Sequence, residues 1–279
     1  MITGLDHIVL ICPDIEAGIE IYSAVFGRGP DWVSQDGEAG TATAQFRTAN
    51  CALELMAPLG GGPVGERLAE LLDDDGPRLT SLVFATDDIE ETHHKLTRRA
   101  LMPSEISAGQ AQHVDTGALR SWKRLRCSDA ICAGVKTFVL AHEAPPPVPA
   151  VTPDQVFRLD HVVIATPNPE RAVALYGARL GLRFALDRTA EEWSTRFLFF
   201  RTGGLTLEVI HRLGETHDPD APDTIWGLTW AVDDLDAAHA RLSAQGAEIS
   251  PVRTGRKPGT RVFTLRKDTL GVPTLFIGA

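Results

Sequence analysis

The sequence predicts an α+β chain: four βαβββ modules in two pairs, with curved mixed sheets enclosing clefts. Three observations predict it. A short apolar run with one histidine, Leu5-Asp6-His7-Ile8-Val9-Leu10, returns as Leu159-Asp160-His161-Val162-Val163-Ile164. Each run is followed by a second apolar phrase with one glutamate, Ala52-Leu53-Glu54-Leu55-Met56 and Thr206-Leu207-Glu208-Val209-Ile210. Residues 7 to 54 and residues 161 to 208 span the same 47 positions, so both landmarks repeat at an offset of 154 without slip. Self-similarity at a fixed interval marks a structural repeat. Finally, short β-branched runs and helical spacings recur in the order strand, helix, then further strands. One four-stranded curved sheet with one helix cannot cover its concave face. Two facing sheets can, and the space between them is a cleft.

The elements follow in order. In residues 1–58 the His7 strand ends at Cys12-Pro13-Asp14. Asp14 caps a helix to about residue 26, with Ile15, Ile19, Tyr22 and Phe26 as its apolar stripe. Gly27 stops it, and strands are expected near 32–34, 41–48 and 51–56. Residues 59–77 are a connector with Gly60-Gly61-Gly62-Pro63, read as a flexible bridge, and a short helix over 64–72. The glycine run is no phosphate-binding loop, because no Gly-Lys-Ser/Thr follows. Residues 78–143 repeat the order: strand 79–85, a helix capped at Asp87-Asp88, and strands near 119–127 and 135–141. Residues 144–153 are rich in proline, a stiff extended linker. Residues 157–211 repeat the first module, with a helix opening at Asn168-Pro169 and ending at Leu180-Gly181-Leu182. Residues 225–279 form the fourth module, with a helix over 234–244 capped by Asp233 or Asp234.

Composition excludes several classes. Hydrophobic residues make up 43% and charged residues 23% of the 279, as in globular proteins. A formal charge of −10 argues against a nucleic-acid-binding surface. No run is long and apolar enough to cross a membrane, and no secretory signal is evident. The four cysteines form no C-x-x-C pair and read as free thiols. The cytoplasm is the expected compartment. Expected partners are a small-molecule substrate or ligand and, at most, a second copy of the chain in a homodimer.

A histidine in an apolar strand is commonly a satisfied core residue, and a glutamate there commonly points at solvent. The doubled His-Glu interval favours a site, since a buried carboxylate needs a partner and the pair suits a divalent cation. On these motifs, on Tyr176 through Leu180-Gly181-Leu182 and on Val232-Asp233-Asp234-Leu235-Asp236-Ala237-Ala238, the chain resembles the vicinal oxygen chelate superfamily. That group includes glyoxalase I, methylmalonyl-CoA epimerase, fosfomycin- and bleomycin-resistance proteins and extradiol dioxygenases. The resemblance covers nearly the whole chain outside the linker, and residues 55–88 look like the epimerase branch. It implies two glyoxalase-like domains, 1–143 and 157–279, separated by 144–156.

It further implies a metal-dependent lyase, isomerase or dioxygenase acting on a small oxygenated molecule. His7, Glu54, His161 and Glu208 would hold a divalent metal (Fe, Mn, Zn, Ni or Co), with Glu54 and Glu208 catalytic. The metal would chelate vicinal oxygens and stabilise an enediolate or bound dioxygen. The pattern departs in the partner modules, where Ser81 and Gly227 fall at the His position and Phe138 and Leu275 at the Glu position. That departure motivates the alternative, a metal-free binding or sequestration protein whose tryptophans, Trp32, Trp122, Trp193, Trp226 and Trp230, receive an aromatic molecule. Two basic stretches, 120–126 and 253–261, add candidate substrate contacts. Arg120, Trp122 and Arg124 share one strand face and suit a carboxylate or phosphate, although a solvated outer face is the commoner fate of such residues. His113, His142, His211 and His217 are candidate general bases that spacing alone does not separate. Because connections join neighbours in space, adjacent modules should pair, leaving His7 and His161 in different clefts.

Overall fold

The computed structural model describes residues 1–216 and 218–279. The first half runs β1 (Ile2–Ile11), α1 (Ile15–Phe26), β2 (Trp32–Asp36), β3 (Thr41–Arg47), β4 (Ala52–Pro58), α2 (Pro63–Asp75), β5 (Arg78–Thr86), α3 (Ile89–Arg98), β6 (Ser107–Gln112), β7 (Leu119–Arg126) and β8 (Lys136–His142). The second runs β9 (Arg158–Ala165), α4 (Pro169–Ala172), a π-helical turn Val173–Arg179, β10 (Arg183–Ala190), β11 (Thr195–Thr202), β12 (Leu205–Arg212), β13 (Thr224–Ala231), α5 (Leu235–Ala244), β14 (Arg253–Thr254), β15 (Arg261–Leu265) and β16 (Thr274–Gly278). Side-chain caps start α1 and α5: Asp14 accepts from the Ala17 amide at 2.8 Å and Asp234 from the Ala237 amide at 2.9 Å. Gly27 ends α1 in the left-handed region, at φ 75°.

The strands form two eight-stranded mixed sheets, β2-β3-β4-β1-β5-β8-β7-β6 and β10-β11-β12-β9-β13-β16-β15-β14. Adjacent modules therefore share a sheet, β1 pairing antiparallel with β5 and β9 with β13. His7 stands in the first sheet and His161 in the second.

The seams differ. In the first sheet the edges meet: Ser34 bridges His113, and the Val114 amide donates to the Val33 carbonyl at 3.0 Å. The sheet thus nearly closes into a barrel. In the second sheet no backbone bridge joins β10 to β14 among the described residues.

The concave faces differ too. Leu68, Leu71 and Leu72 of α2 pack inside the first sheet against Val9, Met56, Val83, Phe138, Leu140 and Trp122. The glycine run before α2 is not the flexible bridge the sequence suggested. The Val64 and Gly65 amides donate to the Ala39 carbonyl at 3.1 and 2.9 Å, and a Cβ on Gly65 would lie 2.2 Å from the Gly40 carbonyl oxygen. The glycines let α2 seat against the β2–β3 turn. No helix lies between β12 and β13 among the described residues. That connector docks instead on the first half, where the Asp223 amide donates to the Ala133 carbonyl at 2.7 Å.

The outer faces and helices of both halves share one core. Phe26 meets Trp230 edge-on at 4.9 Å, and the Tyr22 hydroxyl donates to the Thr269 carbonyl at 3.1 Å. Asn50 exchanges two bonds with the Leu159 backbone, at 2.9 and 3.0 Å. Tyr22 and Tyr176 are wholly buried and pack their helical segments. No helix among the described residues is long and apolar enough to cross a membrane.

Candidate functional site

Each half builds the same trio by the same backbone device. Neighbouring side chains on a regular strand point to opposite faces. The register of β1 on β5 jumps between Leu5–Phe84 and His7–Val83, and that of β9 on β13 between Leu159–Trp230 and His161–Thr229. The extra residue in each bulge is an aspartate, which the bulge re-aims beside its histidine. Asp6 Oδ1 lies 2.7 Å from His7 Nδ1, and Asp160 Oδ2 lies 3.0 Å from His161 Nδ1. The other ring nitrogen faces the glutamate of the parallel neighbour. His7 Nε2 is 3.7 Å from Glu54 Oε1, and His161 Nε2 is 3.8 Å from Glu208 Oε2. The sequence brought out His and Glu; the aspartates stood in both Leu-Asp-His phrases but were not given a role.

The surroundings then diverge. In the first trio Asp6 also accepts from His142 Nε2 at 2.8 Å and lies 4.0 Å from Arg47. Burial works against the Asp6 charge, yet the hydrogen bonds from His142 and His7 outweigh it and hold the carboxyl far below the usual range. Burial likewise works against a charged His7, but the Glu54 and Asp6 carboxylates lift its pKa above the ordinary imidazole value. Gln45 Nε2 donates to Glu54 Oε2 at 2.5 Å, and Arg120 donates to Gln45 Oε1 at 2.7 Å. Arg120 also stacks on Trp32 at 3.9 Å. Both Asp6 oxygens, His7 Nδ1 and Glu54 Oε2 thus have hydrogen-bond partners within the protein, while His7 Nε2 and Glu54 Oε1 face each other at 3.7 Å.

In the second trio Thr229 Oγ1 lies 2.9 Å from His161 Nε2. A neutral His161 carries its proton on Nδ1, toward Asp160, and accepts from Thr229 on Nε2. The His161 bond holds Asp160 below its ordinary pKa. Burial raises Glu208, against the pull of His161 and Arg256. Lys257 Nζ sits 3.8 Å from Asp160, and the Arg256 guanidinium lies 3.7 Å from the Trp193 ring. The His161 and Asp160 side chains are 20% and 19% exposed, against 10% and 6% for His7 and Asp6. Solvent therefore reaches the second trio more freely.

Of the other candidates, Arg120 and Trp122 reach the concave side of the first sheet, while Arg124 is exposed. His113 lies at the closing seam against Trp32, at 5.3 Å. His142 belongs to the first trio. His211 holds the Thr166 carbonyl at 3.1 Å. His217 lies outside the described residues.

The paired modules agree with comparisons to known proteins. The model of a glyoxalase-like domain family matches residues 5–181, and that of the glyoxalase/bleomycin resistance protein/dioxygenase superfamily matches residues 160–264. The chain belongs to this superfamily. An ethylmalonyl-CoA/methylmalonyl-CoA epimerase of Cereibacter sphaeroides is 29% identical over 98 residues, 33% of this chain and 73% of the relative. In fold the chain is similar to a triple mutant of 4-hydroxymandelate synthase from Streptomyces coelicolor, with TM-score 0.71, 15% identity and coverage of 99% of this chain and 92% of that one. A hypothetical protein of Staphylococcus aureus gives TM-score 0.65 at 10% identity, with 100% of both chains covered.

Within this glyoxalase-like frame, strand register fixes what faces each trio. Val9 pairs with both Glu54 and Ser81, and Val83 pairs with Phe138. Val163 pairs with both Glu208 and Gly227, and Thr229 pairs with Leu275. The positions that mirror His and Glu thus hold serine and phenylalanine in one sheet, and glycine and leucine in the other.

Proposed function

We propose that the second sheet holds the working site of an enzyme that moves a proton at a carbon beside a carbonyl group of a small oxygenated molecule. The carrying observation is the Asp160–His161–Glu208 chain in a cleft whose edges no backbone bridge closes among the described residues. Burial raises Glu208, which moves a carboxylate toward the range of a useful general base at neutral pH. Its role is to take the proton from carbon. His161, steadied through Nδ1 by Asp160, holds the Thr229 hydroxyl at Nε2, and that hydroxyl is the donor available to the carbonyl oxygen as negative charge develops there.

A divalent cation is the cofactor the resemblance implies, with His161 and Glu208 as its donors here and His7 and Glu54 in the first sheet. A catalytic shell generally has three protein donors. The mirrored positions add none, and no group of three or more His, Cys, Asp or Glu suited to a metal converges among the described residues. The residues do not fit a complete protein shell, so the proton transfer is assigned to side chains alone.

The named relative suggests the first substrates to try, methylmalonyl-CoA and ethylmalonyl-CoA. Proton NMR in D2O follows loss of the α-hydrogen signal. Exchange by protein treated with EDTA supports the reading. Absence of exchange on both thioesters, with or without added Mn, Fe, Co, Ni or Zn, overturns it. Trp193 and Trp226, 37% and 48% exposed, favour the rival reading, a metal-free binding protein for aromatic molecules. Saturable tryptophan quenching by a small aromatic, without turnover, would select that rival.

A further inference from the structure

The second sheet carries two exposed basic groups beside its trio. Residues 255–260 form a tight turn in which the Gly255 amide donates to the Thr260 carbonyl at 2.8 Å and Thr260 Oγ1 donates to the Lys257 carbonyl at 2.6 Å. A Cβ on Gly255 would lie 2.3 Å from Thr260 Oγ1, so a larger residue there would displace the Thr260 hydroxyl that ties the turn. The turn presents Arg256 and Lys257 at the cleft. Lys257 and Asp160 line one shallow pocket together with Arg158 and Thr260. The Arg256 guanidinium lies over Trp193, its carbon 3.7 Å from the ring centroid, a contact that uses none of its N–H groups as hydrogen-bond donors to an oxygen. Among the described residues Arg256 makes no hydrogen bond.

The first sheet shows what such an arginine does when the protein supplies its acceptor. Arg120 stacks on Trp32 at 3.9 Å, and its edge donates to Gln45, which in turn holds Glu54. Arg256 has the same kind of tryptophan platform and feels the charge of Glu208 as Arg120 feels that of Glu54, without the glutamine. An arginine edge beside a lysine matches an oxyanion, bound by two parallel N–H···O bonds.

We propose that Arg256, steadied by Trp193, and Lys257 form an oxyanion subsite, so that the second site takes a substrate bearing a carboxylate or phosphate besides its carbonyl centre. The proposal uses the proton-transfer reading only to say where the chemistry lies; binding of the anion stands apart from it. Malonate and inorganic phosphate are titrated separately into the whole protein at low salt, followed by calorimetry. Saturable binding of at least one is expected, weakened at least about tenfold by Arg256→Gln and less by Lys257→Gln, because charge-assisted bonds are the strong ones. Arg67→Gln, at an exposed α2 residue of the other half that pairs with Glu70, should leave binding unchanged, and the tighter anion tells carboxylate from phosphate. Glu208→Gln should keep anion binding while abolishing proton exchange. If the wild type exchanges no α-hydrogen yet binds anion through Arg256, the proton-transfer reading falls and the subsite stands. If neither anion binds saturably, or Arg256→Gln binds as the wild type does, the subsite is overturned.

Discussion

The two halves hold the same Asp-His-Glu trio on the same bulged strand, and they surround it in opposite ways. In the first, α2 fills the concave face, the sheet edges meet through backbone bonds, and His142, Arg47, Gln45 and Arg120 complete the polar contacts. In the second, the connector carries no helix among the described residues and docks on the other half. There the edges approach through Arg256 on Trp193. A buried polar cluster tied together by internal hydrogen bonds stiffens a core. The same cluster left half-solvated keeps donors and acceptors for a ligand. The contrast teaches that the trio alone does not make a site; what covers it does.

The largest stability effect should separate the aspartates. Asp6→Ala leaves two histidines and Arg47 buried around a missing carboxylate and should cost about 3–5 kcal/mol by urea denaturation. Asp160→Ala, at a partly solvated pair, should cost about 1 kcal/mol or less. Equal losses would erase the distinction.

The pH profile sharpens it. Asp6 has a folded pKa below its unfolded value of 3.8, so its contribution is present above that value and lost as pH falls below it. His7 has a folded pKa above 6.5, so its contribution is complete below pH 6.5 and lost as pH rises through the folded value. Stability measured against pH should fall on both sides. Asp6→Asn should flatten the acid side, and an unchanged acid limb in that variant would count against the sealed cluster.

A smaller effect concerns access. Diethylpyrocarbonate at neutral pH, read by mass spectrometry, should modify His161 several times faster than His7. Equal rates would show the first site to be open. The smallest effect is on Arg256→Gln, which should change stability by no more than about 0.5 kcal/mol, as for surface substitutions generally. A larger loss would make the rim a structural clasp.

Much of this was legible in the sequence. The repeated His and Glu lie in the apolar strands read for them, and strand register sets Ser81, Phe138, Gly227 and Leu275 at the mirrored positions, as the family resemblance implied. Strand β6, read Ser-Ala-Gly-Gln-Ala-Gln, has no β-branched residue and exists because β7 pairs with it, so no local pattern announced it. The π turn Val173–Arg179 keeps an ordinary helical composition. The bulges were hidden because an extra residue shows only against its partner strand, which is why Asp6 and Asp160 went without a role. The sealing of one cleft depended on where two connectors dock, a matter of long-range contacts rather than local pattern.

The central claim, that chemistry belongs to the second trio and structure to the first, is tested most directly by comparing Glu54→Gln with Glu208→Gln on one substrate. α-Hydrogen exchange is measured in both, with folding checked by circular dichroism. Glu208→Gln should lose about 100-fold or more, the usual contribution of a general base, while folded Glu54→Gln stays within about threefold of the wild type by the same reckoning. Loss of exchange in Glu54→Gln with activity retained in Glu208→Gln would contradict the account.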